Sequence, residues 1–312
     1  MRIAVMAAGA VGGYFGARLA AAGHDVVFFA RGAHLETIRR DGLKIESVRG
    51  NLHLAKVHVT DKADGIAPVE IVLFAVKLWD SVGAAEIVRP LVGADTRVVT
   101  VQNGVDSVDM IGPVVGKDRV VPGLAQISAV IRAPGVIEHS SQYQTLTFGR
   151  ADGRDDAVVL AFAEAGKTAG VDFLISKEIE RDLWVKFILL VALSSVTTVT
   201  RLPIGVTRSD PDGKKLLQAI VDEVAAVGRA RGVKLEEGVV QRAAAVVFGV
   251  PDSTRASMSH DLERGNRLEL DWLAGRVVSL GRELNVPVPV CETIYAVLKP
   301  YRMGVPNPGR AG

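Results

Sequence analysis

The chain has 312 residues, 48% of them apolar and 23% charged, the balance of an ordinary globular protein with room for two sizeable cores. Thirty-seven Lys and Arg against 35 Asp and Glu leave a net charge of +2, and no basic run is interleaved with aromatics, so charge gives no face for nucleic acid. A single cysteine, Cys291, rules out an internal disulfide and suits a reducing compartment; the six histidines have no zinc-like spacing to it, and no metal is expected.

In chain order, residues 2–6 form a short apolar strand and 11–22 a helix closed by Gly23. The same residues loosely imitate a secretory leader, but Arg18 and the glycines fit strand, turn and helix better. The longest later apolar run, 187–193, falls far below the ~20 residues that span a bilayer, so a cytoplasmic protein with no membrane contact is expected. Near-continuous apolar runs over 25–30, 70–76 and 97–101 predict parallel strands buried on both faces. Residues 53–59 alternate as a half-exposed strand, and further strands are expected within 120–131, 136–139 and 145–149. A helix over 155–169 and a strand over 171–175 close this half.

Beyond residue 176 the strand signal disappears. Helices are predicted over 178–199, 210–231 and 237–248. Leu270, Leu273, Val277, Leu280 and Leu284 then give one apolar helix face, which serves either the core or the seam of a homodimer. Pro287 and Pro289 interrupt the chain before a last helix ending near Pro300. Alternating β/α followed by all-α predicts two domains, 1–176 and 177–312, with the active site in the cleft between them.

The first strand runs into Ala7-Ala8-Gly9-Ala10-Val11-Gly12 and then a helix, the dinucleotide fingerprint with alanine in its first position. This predicts a Rossmann domain with a mostly parallel, doubly wound sheet. Gly9 lets backbone approach the pyrophosphate, which sits at a helix N-terminus, and Gly12 allows close helix–strand packing. Ala7 stands where the tight turn usually takes glycine. The second strand ends at Arg31, where an NAD site usually offers Asp or Glu; a guanidinium suits the 2′-phosphate of NADP instead, the alternative being an exposed, salt-bridging arginine. Lys77, ending the next strand, adds positive charge near the same phosphate. Gln102-Asn103-Gly104 follows the strand after that, as a site element or merely a tight turn.

Taken with Arg31-Gly32-x-His34-Leu35, Gly123, Pro134-Gly135-Val136, Trp184-x-Lys186 and Ser257-Met258-x-x-Asp261 followed by Glu269, these pieces fall in the order of the ketopantoate reductase family, which the chain resembles over almost its whole length. The resemblance implies NADPH-dependent reduction of a 2-oxo acid, ketopantoate, to pantoate on the route to coenzyme A. It implies that Lys186 is the catalytic lysine protonating the carbonyl oxygen, that Glu269 holds the substrate hydroxyl, that Ser257 binds substrate, and that Asn103 sits beside nicotinamide and substrate. Hydride addition to a ketone leaves an alkoxide, so a nearby cation-borne proton lowers the barrier.

Ser257, Asp261, Gly265 and Glu269 recur every fourth residue, a polar stripe if the segment is one helix and an accident if Gly265-Asn266 breaks it. The family carries asparagines four and eight residues after its lysine; here those substrate positions are Leu190 and Ser194. That departure favours a more apolar 2-oxo acid. The competing readings are a related β-hydroxyacid or opine-type dehydrogenase and a non-catalytic NADP-binding redox sensor.

Overall fold

The structure, a computed structural model, describes residues 1–305, so the end of the predicted second domain, 306–312, lies outside the described residues. The chain divides into two compact units, Met1–Ile179 and Glu180–Gly312. The division falls at 179/180 instead of 176/177 because these intervening residues stay tied to the first unit. The Ser176 N–H donates to the Phe148 carbonyl at 2.9 Å, and the Lys177 ammonium pairs with Asp155.

The first unit comprises β1 (Arg2–Met6), α1 (Ala10–Ala21), β2 (Asp25–Phe29), α2 (Gly32–Asp41), β3 (Leu43–Ser47), β4 (Leu52–Leu54), β5 (His58–Thr60), β6 (Val69–Phe74), α3 (Ser81–Val88), β7 (Val92–Thr100), α4 (Ser107–Val115), β8 (Val120–Ala133), β9 (Val136–Phe148), α5 (Ala157–Thr168) and β10 (Asp172–Ile175). Its sheet has the order β4-β3-β9-β8-β7-β6-β1-β2-β5, with β10 paired to β9. All pairs are parallel except β8/β9 and β3/β4. Along β1, Ile3 and Val5 enter one core with Phe15, Leu19 and Phe28, while Ala4 and Met6 enter another with Phe29, Val72 and Phe74. Both faces are covered, which is why these strands are apolar throughout.

Three expectations need correction. The alternating run 53–59 is not one strand: β4 pairs antiparallel with β3 and β5 parallel with β2, at opposite ends of the sheet. The segments 136–139 and 145–149 are parts of the single strand β9, whose hairpin with β8 runs on through polar Ser140-Ser141-Gln142. The helix expected from 155 begins at Ala157, because the Asp156 carboxylate caps it, accepting from the Val158 and Val159 N–H groups at 3.0 and 3.2 Å.

The second unit is helical: α6 (Ile179–Thr200, whose first residue belongs to the first unit), α7 (Ile204–Ser209), α8 (Pro211–Ala230), α9 (Glu237–Gly249), α10 (Ser257–Glu263), α11 (Ala274–Leu284) and α12 (Pro289–Leu298). Trp184, Phe187, Ile188, Val191 and Ala192 bury one side of α6. Gly228 lets α8 come close, since a Cβ there would lie 2.7 Å from the Trp184 ring. By length and composition α6 is long and apolar enough to cross a membrane, which the short run 187–193 did not convey. Most of it is buried inside the protein, so it serves here as a core helix. Leu270, Leu273, Val277 and Leu280 are likewise buried, and that face serves the core. Glu223 of α8 caps α12, accepting from the Val290 and Cys291 N–H groups at 2.8 Å each.

Candidate active site

Strands β1, β2, β6 and β7 run parallel and end level, with Met6 opposite both Phe29 and Phe74, and Phe74 opposite Thr100. The segments that leave this edge therefore emerge side by side: the glycine turn after β1, Arg31 after β2, Lys77 and Asp80 after β6, and Gln102-Asn103-Gly104 after β7. The strand order also reverses at β1, with β2 and β5 on one side and β6, β7 and β8 on the other. Such switch points are where open α/β sheets bind ligands.

Gly9 opens α1, and the first helical bond runs from the Gly13 N–H to the Gly9 carbonyl at 2.7 Å, leaving the preceding N–H groups directed out of the helix. A Cβ on Gly9 would meet nothing within 4 Å, whereas one on Gly12 would lie 2.2 Å from the Ala7 carbonyl oxygen. Gly9 thus leaves room for an anion and Gly12 is required by packing, so the turn fits a pyrophosphate. Ala7 is not among the residues with positive φ, so its φ does not call for glycine there.

Arg31 is exposed, and its guanidinium pairs with Asp80 at 2.8 Å. The sequence reading missed Asp80; no local pattern joins residues 49 apart. Lys77 is exposed beside Trp79, its ammonium 5.6 Å from the ring centre. Gln102 is structural: its amide donates to the Val76 carbonyl (2.9 Å) and Ser81 Oγ (2.8 Å), tying the loop after β7 to the loop after β6. This tie holds half-buried Asn103 at the edge. His34 Nε2 lies 2.8 Å from the Ala8 carbonyl oxygen, and its Nδ1 accepts from the Gly135 N–H at 3.0 Å.

In the second unit Lys186, Leu190 and Ser194 share a face of α6 at intervals of four. The Lys186 side chain is partly accessible, but its ammonium is desolvated. Burial pushes its pKa down from 10.5 to about 8, against the upward pull of Glu269. Glu269 is 5% exposed, where the chain enters the 3-10 turn Leu270–Trp272. Leu190 is half-buried and Ser194 is 2% exposed.

The polar stripe from Ser257 to Glu269 is not one helical face. Helix α10 stops at Glu263, Gly265 has φ +70°, and the Asn266 N–H turns back to the Asp261 carbonyl at 2.8 Å. Ser257 is exposed, and its neighbour Ser259 is the buried one. Ser259 Oγ donates to the Thr197 carbonyl at 2.9 Å, and the Ala256 N–H donates to Thr197 Oγ1 at 3.2 Å, lashing α10 to α6. The sequence reading missed both residues, although the hydroxyl run Ser194–Thr198 inside an apolar helix was the available signal.

Residues 3–153 match the family model described as ketopantoate reductase PanE/ApbA, and residues 178–302 match that of its C-terminal part. A 2-dehydropantoate 2-reductase of Mesorhizobium japonicum is 30% identical over 96% of this chain and 97% of its own length. The crystal structure of a PanE/ApbA family ketopantoate reductase from Ralstonia eutropha JMP134 aligns with a TM-score of 0.88 at 29% identity, covering 97% and 98% of the two chains. A D-mandelate dehydrogenase, solved with NADH and anilino(oxo)acetate, shares the fold at a TM-score of 0.87 and 19% identity over 97% of this chain and 98% of its own. With both halves matched in order, the chain belongs to the ketopantoate reductase family, oxidoreductases that act on CH–OH and C=O groups with a nicotinamide cofactor.

Proposed function

We propose that the protein is a cytoplasmic NADPH-dependent reductase that converts a 2-oxo acid to a 2-hydroxy acid, with ketopantoate accepted but a plainer alkyl or aryl 2-oxo acid preferred. The observation that carries the reading is Lys186, a desolvated ammonium with its pKa lowered to about 8 and a buried carboxylate, Glu269, in its field. Such a group is mostly protonated at neutral pH and still releases its proton readily, as a general acid must. The nicotinamide supplies the hydride. Lys186 gives the carbonyl oxygen its proton as the negative charge develops, and Glu269 holds the substrate hydroxyl while keeping Lys186 charged. Asn103 orients the reacting groups from the edge of β7, and Ser257 and Ser194 contact the substrate. Ala7 to Gly12 take the pyrophosphate, and Arg31 with Lys77 takes the 2′-phosphate.

Leu190 sets the preference among substrates. It sits one turn beyond Lys186 and offers no hydrogen bond, so a substrate hydroxyl buried against it loses about 1–3 kcal/mol. The test is kcat/KM for ketopantoate and a matched series of alkyl and aryl 2-oxo acids, in wild type and Leu190→Asn. The expected outcome is a plain 2-oxo acid ahead in the wild type and a relative gain for ketopantoate in the variant. Ketopantoate clearly ahead in the wild type would remove Leu190 as selector, and no turnover of any acid would leave the redox-sensor reading.

A further inference from the structure

Two residues of the sequence motifs, His34 and Gly135, have been given no task so far, yet the structure joins them at the glycine turn. A carbonyl only accepts and a backbone N–H only donates, so His34 Nε2 carries the proton given to the Ala8 carbonyl, and Nδ1 is the lone pair facing Gly135. This is the neutral ring, and burial lowers the His34 pKa, which favours it. The clamp is firm on each side. The Gly135 carbonyl accepts from the Lys44 N–H at 2.9 Å, and the Ala8 N–H donates to the Phe29 carbonyl at 2.7 Å.

We propose that His34 is a positioning residue for the cofactor: by holding the Ala8 carbonyl it fixes the Ala8–Gly9 peptide plane and so aims the Gly9 N–H at the pyrophosphate. In a trans peptide the N–H points opposite to the C=O, so anchoring one directs the other. The side of Gly9 is open, with nothing within 4 Å of a built Cβ, and the Ala8 carbonyl, the other end of the same peptide, is held by the imidazole at 2.8 Å. His34 also rides on α2, whose N-cap is Arg31, so one side chain sets the glycine turn and the 2′-phosphate residue at a fixed separation. The inference rests on the reading that this turn takes the pyrophosphate.

Two substitutions separate the two bonds of His34. The amide of His34→Gln reaches the Nε2 position and keeps the Ala8 contact; that of His34→Asn stops at the Nδ1 position and keeps only Gly135. Each retains one hydrogen bond, so melting temperatures should be similar. NADPH affinity, measured on the full chain by fluorescence titration, should fall about three- to tenfold in His34→Asn and stay within about twofold in His34→Gln, the value of one directed hydrogen bond. The loss should appear in Kd and KM for NADPH and leave kcat nearly unchanged. Equal affinities in the two variants, or the reverse order, would overturn the proposal. Gly9→Val distinguishes the underlying reading: its side chain enters open space, so NADPH binding that survives it shows that the pyrophosphate lies elsewhere. Abolition by Gly9→Val with no difference between Asn and Gln leaves the site standing and refutes His34 alone.

Discussion

Replacing Glu269 by Gln should move the alkaline limb of reductase activity to lower pH. Lys186 has its pKa lowered from 10.5 to about 8 by burial, and Glu269 is the charge that opposes this. If Lys186 gives the proton, kcat follows its charged fraction, which with a pKa near 8 is roughly 90% at pH 7, half at pH 8 and about 9% at pH 9. An opposite charge nearby typically holds a pKa by about 1–3 units, so the glutamine variant should lose at least about one unit. At pH 8 the charged fraction then falls roughly fivefold, on top of a pH-independent loss from the missing hydroxyl contact. The assay is kcat against pH from about 6 to 10, with both substrates saturating, and the position of the limb, not its height, is the measure. A limb that stays or moves up would refute the reasoning, as would an unchanged limb in Lys186→Arg, whose guanidinium does not titrate in this range. Stability follows with the opposite sense. A lysine whose folded pKa lies below its unfolded value weakens the fold most at pH below about 8, and the penalty fades as pH rises from about 8 to 10.5. Lys186→Met should lower kcat by about two to four orders of magnitude.

Arg31→Ala should remove most of a preference for NADPH over NADH of at least about tenfold, since a charge-assisted contact is worth about 1.5–3 kcal/mol. Asp80→Asn should tighten NADPH by up to about fivefold, because a partner worth about 0.2–1 kcal/mol no longer competes for Arg31; equal wild-type affinities for the two cofactors would sink both statements. Gly12→Ala forces a Cβ to within 2.2 Å of the Ala7 oxygen and should lower stability by about 2 kcal/mol or more in denaturant titration, whereas Gly9→Val should leave stability within about 0.5 kcal/mol and abolish cofactor binding. Glu223→Ala strips two N–H partners from the start of α12 and should cost about 2–3 kcal/mol, read as a fall in melting temperature of roughly 5–10 °C with cofactor affinity unchanged.

The strand, glycine turn and helix at the N-terminus were legible because each rests on neighbouring residues: apolar run, turn chemistry, then helix. Legibility failed where the deciding partner is distant. Residues 53–59 alternate perfectly well, but nothing local says that their two ends join opposite ends of a sheet. The contacts Arg31–Asp80 and His34–Gly135 span 49 and 101 residues and have no periodic trace. Helix α2 went unread because only Leu35 and Ile38 are buried on it, too thin a stripe for a periodic signal. The spacing of four from Ser257 to Glu269 misled in the other direction: it presumes a continuous helix, and Gly265 with Asn266 ends one. Lys186 was visible as a charge inside an apolar helix, but its desolvation depends on packing that composition does not encode.

The level ending of β1, β2, β6 and β7 acts as a ruler, and it constrains how this protein can drift. One residue inserted into β6 would carry Lys77 and Asp80 about 3.3 Å beyond the edge. It would also exchange Val72 and Phe74 with Ile71 and Leu73 between the two cores. The proposed cofactor contacts can therefore be retuned by substitution at the edge but not by changing strand length. Insertions and deletions that lineages tolerate in this unit should collect at the opposite rim, in the connections that feed the strands, such as residues 22–24 ahead of β2 and 116–119 ahead of β8.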